Sequence, residues 1–268
     1  MNLLILEEGE AGKPLARSDR RYEHVKKVLK KGVGDRLEAG IATDRPFGAA
    51  PLAVGEAKVL SLDEGGLVLD YEGSSEPEPL APLRLILGFP RPIQATRIFK
   101  DLVSLGVSDL ELTGTELGEK SYLESSFFSA KEYRRPLLDG AEQAANPRLP
   151  RVRQYWTLAR CLDGLSAAAE PADEDEPDWA GGLFIALHPA EGAPNLGALL
   201  ASGKLSALRG DSLPITLAIG SERGWTEGEV ELLVARGFTV AGLGRRILKT
   251  ETAAPAASAL ALAAMGRM

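Results

Sequence analysis

The chain has 268 residues, 44% hydrophobic and 26% charged, with a formal net charge of −7, which leaves room for one large domain or two modest ones with ordinary cores. A single cysteine, Cys161, excludes an internal disulfide, and two histidines are too few for a Cys/His zinc cluster, so no metal is expected. No apolar run reaches membrane-spanning length, and Met1 to Leu6 lacks the basic flank and cleavage site of an export signal; a cytoplasmic protein without membrane contact is expected.

Residues 1–75 are predicted to form a small β-rich domain. Leu3–Leu6, Arg36–Ala39, Leu52–Leu60 and Gly66–Tyr71 are short apolar or alternating runs separated by Gly, Pro and Asp turns. Between the first two, residues 21–30 place Val25, Val28 and Leu29 at helical spacing, and Gly32 and Gly34 end that helix. His24 sits at the edge of this apolar stripe, where packing suits it better than acid–base work, since no partner is near in sequence. Residues 73–82, GSSEPEPLAP, read as an interdomain linker.

Beyond the linker the pattern changes to alternating strands and helices. Leu83–Phe89 is a buried strand; Ile98, Phe99, Leu102, Val103 and Leu105 mark an amphipathic helix stopped by Gly106. Asp109–Leu112 is a strand and Lys131–Ala145 a helix. Residues 170–178, EPADEDEPD, form an acidic surface loop. Leu183–Leu187 is a strand ending at His188-Pro189, followed by a helix near Leu196–Leu208. Ile215–Ile219 then empties into Gly220-Ser221-Glu222-Arg223-Gly224-Trp225. Thr226 and Glu229 form a capping box that starts the next helix. After Gly237, Phe238–Ala241 is a strand ending in Gly242-Leu243-Gly244, and an alanine-rich helix runs from about Ala253, with Pro255 in its first turn. Such alternation predicts an α/β fold with a mostly parallel sheet covered on both faces. In an open sheet of that kind, glycine loops at the carboxyl ends of buried strands are where a ligand sits.

Charge is unevenly spread. Residues 17–36 carry Arg17, Arg20, Arg21, Lys26, Lys27, Lys30, Lys31 and Arg36, and residues 131–160 carry Lys131, Arg134, Arg135, Arg148, Arg151, Arg153 and Arg160. Either cluster is a solvated face or a local patch able to hold a phosphate backbone, because counterion release depends on local contacts rather than on net charge.

Several site types are excluded by their residues. Gly242-Leu243-Gly244 lacks the third glycine of a dinucleotide fingerprint; Gly203-Lys204 is followed by Leu205 instead of the Ser or Thr of a phosphate loop. Ser221 does not lie in G-x-S-x-G, and only His24 and His188 could serve a serine nucleophile. What remains is two or three glycine loops that can grip a small ligand through backbone groups, bordered by basic side chains.

These residues carry a resemblance to the SPOUT-superfamily 16S rRNA (uracil-N3)-methyltransferases over nearly the whole chain. Residues 24–30 with Gly34-Asp35 resemble the family's "HHLxRVLRxxxGD", Glu142-Gln143 with Arg148 and Pro150 its "EQxxRxxxP", and Leu187-His188-Pro189 its first ligand loop. Residues 219–225 resemble "IGPEGGF" and residues 243–253 "LGxRILRxETA". The resemblance implies a PUA-like RNA-binding barrel over residues 1–75 and, over residues 76–268, a SPOUT domain with a deep trefoil knot. It further implies S-adenosylmethionine as cofactor, small-subunit rRNA, within the 30S particle, as substrate, and a homodimer. Carried over, the cofactor contacts are Leu187, His188, Gly220, Glu222, Gly224, Leu243, Gly244, Ile247, Leu248 and Thr250. Glu222 and Lys249 are the catalytic candidates, with Lys249 supplying a cation to the developing uracil anion. Arg17, Arg20, Arg21, Lys26, Lys27, Lys30, Glu142, Gln143 and Arg148 are the RNA-binding candidates. The chain departs from the family at Asn146 and Lys249, where arginine is usual, and at Ser221 and Arg223, where proline and glycine are. A SPOUT methyltransferase with another RNA target, and a non-catalytic rRNA-binding or ribosome-assembly protein, stay open as alternatives.

Overall fold

The computed structural model describes residues 2–48, 53–167, 175–201 and 213–268. Contacts divide the chain into two compact units, Met1–Pro79 with Leu138–Leu149, and Leu80–Leu137 with Pro150–Met268. The first unit thus takes in a segment, Leu138–Leu149, that lies outside the 1–75 span drawn from sequence.

The first unit is built on β1 (Leu4–Leu6), β2 (Pro14–Leu15), β3 (Arg36–Ile41), β4 (Val54–Asp63) and β5 (Gly66–Ser75), in sheet order β1-β3-β4-β5-β2. Only the β1–β3 pair is parallel. Along β4 the inward Gly55, Ala57 and Val59 alternate with exposed polar residues, as expected of a sheet with one wet face. The core closes with Tyr22 and Val25 from α1 (Arg20–Glu23) and the π-helical turn His24–Val28 that continues it. That turn corrects the predicted stripe: the wider spacing, seen in Leu29 N–H donating to the His24 carbonyl, rotates Val28 and Leu29 off the core, to 65% and 37% exposure. The predicted linker is corrected too. Gly73–Ser75 belongs to β5 and Ala81-Pro82 to the next strand. Opposite Gly73, Gly55 on β4 is required by close approach: a Cβ on Gly55 would lie 2.0 Å from the Glu72 carbonyl oxygen and 2.8 Å from Gly73 Cα.

The second unit is a six-stranded, all-parallel sheet of β6 (Ala81–Gly88), β7 (Val107–Thr113), β8 (Arg151–Tyr155), β9 (Leu183–Leu187), β10 (Ile215–Ile219) and β11 (Thr239–Ala241), in order β11-β9-β10-β6-β7-β8. β6, β7 and β10 are buried along their whole length, which accounts for their near-continuous apolar runs. The charged exceptions in these strands are paired: Arg151 Nε on β8 lies 2.9 Å from Asp109, Arg153 on β8 also meets Glu111, and Arg84 Nε on β6 lies 3.6 Å from Glu111 on β7. The Arg84 guanidinium carbon stands 3.8 Å from the centroid of the Trp179 ring. Buried charges need such partners.

The helices of this unit are α2 (Pro92–Ser104), α3 (Lys120–Glu124), α4 (Ser126–Ser129), α6 (Leu158–Ala167), α7 (Leu196–Ala201), α8 (Glu227–Ala235) and α9 (Thr250–Ala264), while α5 (Arg134–Ala144) runs from this unit into the Leu138–Leu149 segment of the first. The capping box of α8 is present in full. The last helix starts at Thr250, capped by Lys249, so Pro255 falls in its second turn and not its first; α9 packs on α2, α7 and β10. The predicted Leu196–Leu208 helix runs beyond Ala201 outside the described residues, as do Gly203, Lys204, Leu52 and residues 170–174 of the acidic loop. Among the described residues no helix is long and apolar enough to cross a membrane, and no group of three or more His, Cys, Asp or Glu is placed to hold a metal ion.

Candidate functional site

Strand register brings the predicted loops together. Leu187 of β9 pairs with Ile219 of β10 on one side and with Ala241 of β11 on the other. Three adjacent parallel strands therefore end in one row, and the loops that follow, at His188, Gly220 and Gly242, open at the same level and on the same edge of the sheet. This is the position at which open parallel sheets hold ligands.

Each loop has a local reason for its shape. In the β10 loop, Gly224 N–H donates to the Ser221 carbonyl at 2.8 Å, and Gly224 has φ +79°, a region unfavourable to residues with a Cβ. Close approach explains Gly220: a Cβ there would meet the Gly224 carbonyl carbon at 2.6 Å. Glu222 Oε1 accepts the Arg91 N–H, 2.8 Å away, and so ties this loop to the start of α2. The β9 and β11 loops are joined by backbone: His188 N–H to Ala241 O at 3.0 Å, Gly242 N–H to Pro194 O at 2.9 Å, and Leu196 N–H to Gly242 O at 2.8 Å. His188 Nδ1 is buried and has no hydrogen-bond partner among the described residues.

The predicted cofactor residues fall into three groups. Leu187, His188, Gly220, Glu222, Gly224, Leu243 and Gly244 lie on the three converging loops. Leu248 and the buried Thr250 lie at the approach to α9. Ile247 is 90% exposed. Lys249 is exposed, and no ion pair engages Arg245, Arg246 or Lys249 among the described residues.

The RNA-binding candidates divide differently. Arg148 is 1% exposed and donates to the carbonyls of Pro77, Arg45, Phe47 and Gly48, so it braces the first unit instead of facing solvent. Glu142, 2% exposed, holds Arg20 at 2.5 Å. Arg21 is locked by Asp19 and Glu10. Burial alone would raise both carboxyls, but the Arg21 hydrogen bonds outweigh it and leave them below the usual carboxylate range. Arg148, Glu142 and Arg21 are thus each engaged by partners within the first unit. Arg17, Lys26, Lys27, Lys30 and Gln143 remain exposed.

Sequence alone missed the far half of this edge. Thr115, just past β7, donates its hydroxyl to Ser221 Oγ at 3.1 Å; Glu116 N–H donates to Glu229 Oε1 at 2.9 Å, and Thr226 Oγ1 to Glu116 Oε2 at 2.9 Å. Behind this hydrogen-bonded wall, at the carboxyl ends of β6, β7 and β8, lies a cavity of about 650 Å³. The only signal for it was Gly114-Thr115 directly after an apolar strand. Cys161 is no nucleophile: burial pushes its thiol pKa up and keeps it protonated.

An all-parallel sheet with glycine loops aligned at the carboxyl ends of three neighbouring strands defines a nucleotide- or cofactor-binding α/β protein. A family model described as an RNA methyltransferase domain matches residues 76–262, and the chain belongs to that family. Ribosomal RNA small subunit methyltransferase E of Treponema pallidum is 37% identical over 267 residues, covering 98% of this chain and 91% of that one. Its namesake E 1 of Borreliella burgdorferi is 25% identical over 258 residues, 96% of each. A crystal structure of the Neisseria gonorrhoeae ribosomal RNA small subunit methyltransferase E bound to S-adenosyl methionine shares the fold, with a TM-score of 0.66 and 19% identity over 98% of this chain and 97% of that one.

Proposed function

We propose that this protein methylates N3 of a uridine in small-subunit ribosomal RNA, using S-adenosylmethionine. The observation that carries the reading is the register row Ala241–Leu187–Ile219, which aligns three loops of the family's ligand motifs on one edge. The names of the relatives supply the substrate class. The residues present fit the cofactor: the loops are lined by backbone groups at Gly220, Gly224, Leu243 and Gly244, and His188 Nδ1 is a buried polar atom with no hydrogen-bond partner among the described residues. Leu187, His188, Gly220, Gly224, Leu243, Gly244, Leu248 and Thr250 would hold it.

The cofactor supplies a methyl group already activated by a sulfonium. The chain then has to align that group with the uracil nitrogen, keep water out and favour departure of the N3 proton. Lys249 is the residue for the last task. Its ammonium, without an ion-pair partner among the described residues, stabilises negative charge developing on the uracil oxygens. Glu222 acts as a positioning residue, since its carboxylate fixes the 221–224 turn to α2.

The finer reading has the chain as a homodimer in the cytoplasm, acting on the 30S particle. Ile247, 90% exposed beside the cofactor loops, is the kind of side chain a subunit boundary covers. Residues 76–268 form the SPOUT domain, and its trefoil knot is supported by the way 194–196 bracket Gly242. Residues 1–75 form the PUA-like domain, whose exposed Arg17, Lys26, Lys27 and Lys30 meet the RNA backbone.

The test is mass-spectrometric mapping of N3-methyluridine in small-subunit rRNA from a deletion strain, before and after incubation with the purified protein and S-adenosylmethionine. One uridine unmodified in the strain and restored by the protein is expected. An unchanged small-subunit rRNA would overturn the assignment.

A further inference from the structure

Three tryptophans are present, and two of them, Trp179 and Trp225, are buried to 4% exposure, as large apolar side chains usually are. Trp156 is 67% exposed, directly after β8. It lines the cavity of about 650 Å³ together with Phe89, Leu123 and Leu232 and the polar Glu119 and Lys120. That volume lies within the roughly 300–1,000 Å³ typical of small-ligand sites. Nothing in the proposed methyl-transfer site uses it.

We propose that this cavity, with the Trp156 indole as its stacking surface, binds a second nucleobase of the unpaired RNA strand that carries the methylated uridine. The inference rests on the RNA methyltransferase reading and adds to it a site of a different ligand class from the cofactor.

Three features select a base. An exposed indole offers a flat π face, and stacking of an unpaired base on such a face is the usual way single-stranded RNA is held. The apolar walls suit an aromatic ring, and the carboxylates at Glu119 and Glu124 accept hydrogen bonds from ring or amino N–H groups while repelling phosphate. The base enters and the backbone stays outside. The wall between cavity and cofactor loops is pinned by Thr115 to Ser221 and by Glu116 to Glu229, so a base in the cavity is a neighbour of the methylated one and not the target itself.

Trp156 is the solvent-exposed indole of the three, and its contribution to the signal is the part of the fluorescence change lost in Trp156→Phe. Tryptophan fluorescence of the full-length protein is titrated with a single-stranded oligonucleotide of small-subunit rRNA sequence, and with the same strand made abasic. Saturable quenching by the first and little by the second is expected; equal quenching by both would overturn the proposal. Trp156→Ala should raise the RNA KM about 5- to 150-fold, at low and high salt alike, with S-adenosylmethionine affinity and melting temperature unchanged. Trp156→Phe, which keeps a ring, should recover most of the loss. An unaltered KM in Trp156→Ala removes the base site while leaving methyl transfer intact. Absence of methyl transfer by the wild type, with base-dependent quenching retained, removes the enzyme reading and leaves the base site.

Discussion

Arg20 and Arg21 in the first unit, and Arg245, Arg246 and Lys249 in the second, carry the same charge and differ in what they touch. Arg20 is held by Asp139 at 3.3 Å and Glu142 at 2.5 Å, and Arg21 by Glu10 at 2.6 Å and Asp19 at 2.8 Å. Nearby, Lys27 pairs with Glu23, and Lys26 stands 5.3 Å from the Tyr22 ring centroid. The 245–249 cations have no ion pair among the described residues. A count of basic residues therefore overstates the first cluster: Arg20 and Arg21 hold the fold, while Arg17, Arg36 and the lysines Lys26, Lys27 and Lys30 face outward. The second cluster is small, yet all of it is available to an anionic partner.

The largest effect should come from removing a cation that is fully spent internally. Arg148→Ala leaves four carbonyl acceptors without their donor in the first unit and should cost about 3 kcal/mol or more in urea unfolding, with cofactor affinity unchanged. A loss under about 1 kcal/mol would break the comparison from its structural side.

Lys249→Ala probes the opposite case. It should lower kcat about 100-fold, leaving the melting temperature and the S-adenosylmethionine Kd close to wild type. A change in Kd with kcat retained would make Lys249 a cofactor contact instead. The smallest effect is expected at the exposed lysines. Lys26→Glu with Lys27→Glu should weaken RNA binding by an amount that grows as salt is lowered, since two charges contribute about 1.4 to the slope of log K against log salt for a single strand. A salt-independent loss would mean that these lysines act through the fold.

What sequence could reveal follows from the same contrast. β9 and β10 were legible to the residue because each is a short apolar run closed by a turn, and the α8 capping box because its two members lie three residues apart. β8 was hidden: its Arg151 and Arg153 look like surface, and the carboxylates that neutralise them, Asp109, Glu111 and Glu176, are distant in sequence. Arg148 resembled a phosphate contact because four backbone carbonyls leave no trace in a residue pattern. The glycine loops could be named from their motifs, but that they begin in one row depends on β9 lying between β10 and β11, which no local pattern specifies. The Thr115–Ser221 wall joins residues 106 positions apart, and the cavity behind it was invisible for that reason.

The central claim is that the three aligned loops, and not the neighbouring cavity, hold the methyl donor. A crystal structure of the protein grown with S-adenosylmethionine tests it most directly. The account predicts cofactor density against the backbone of residues 187–188, 220–224 and 243–248, with the Trp156 cavity free of it. Cofactor density in that cavity, or crystals that bind none at saturating concentration, would contradict it.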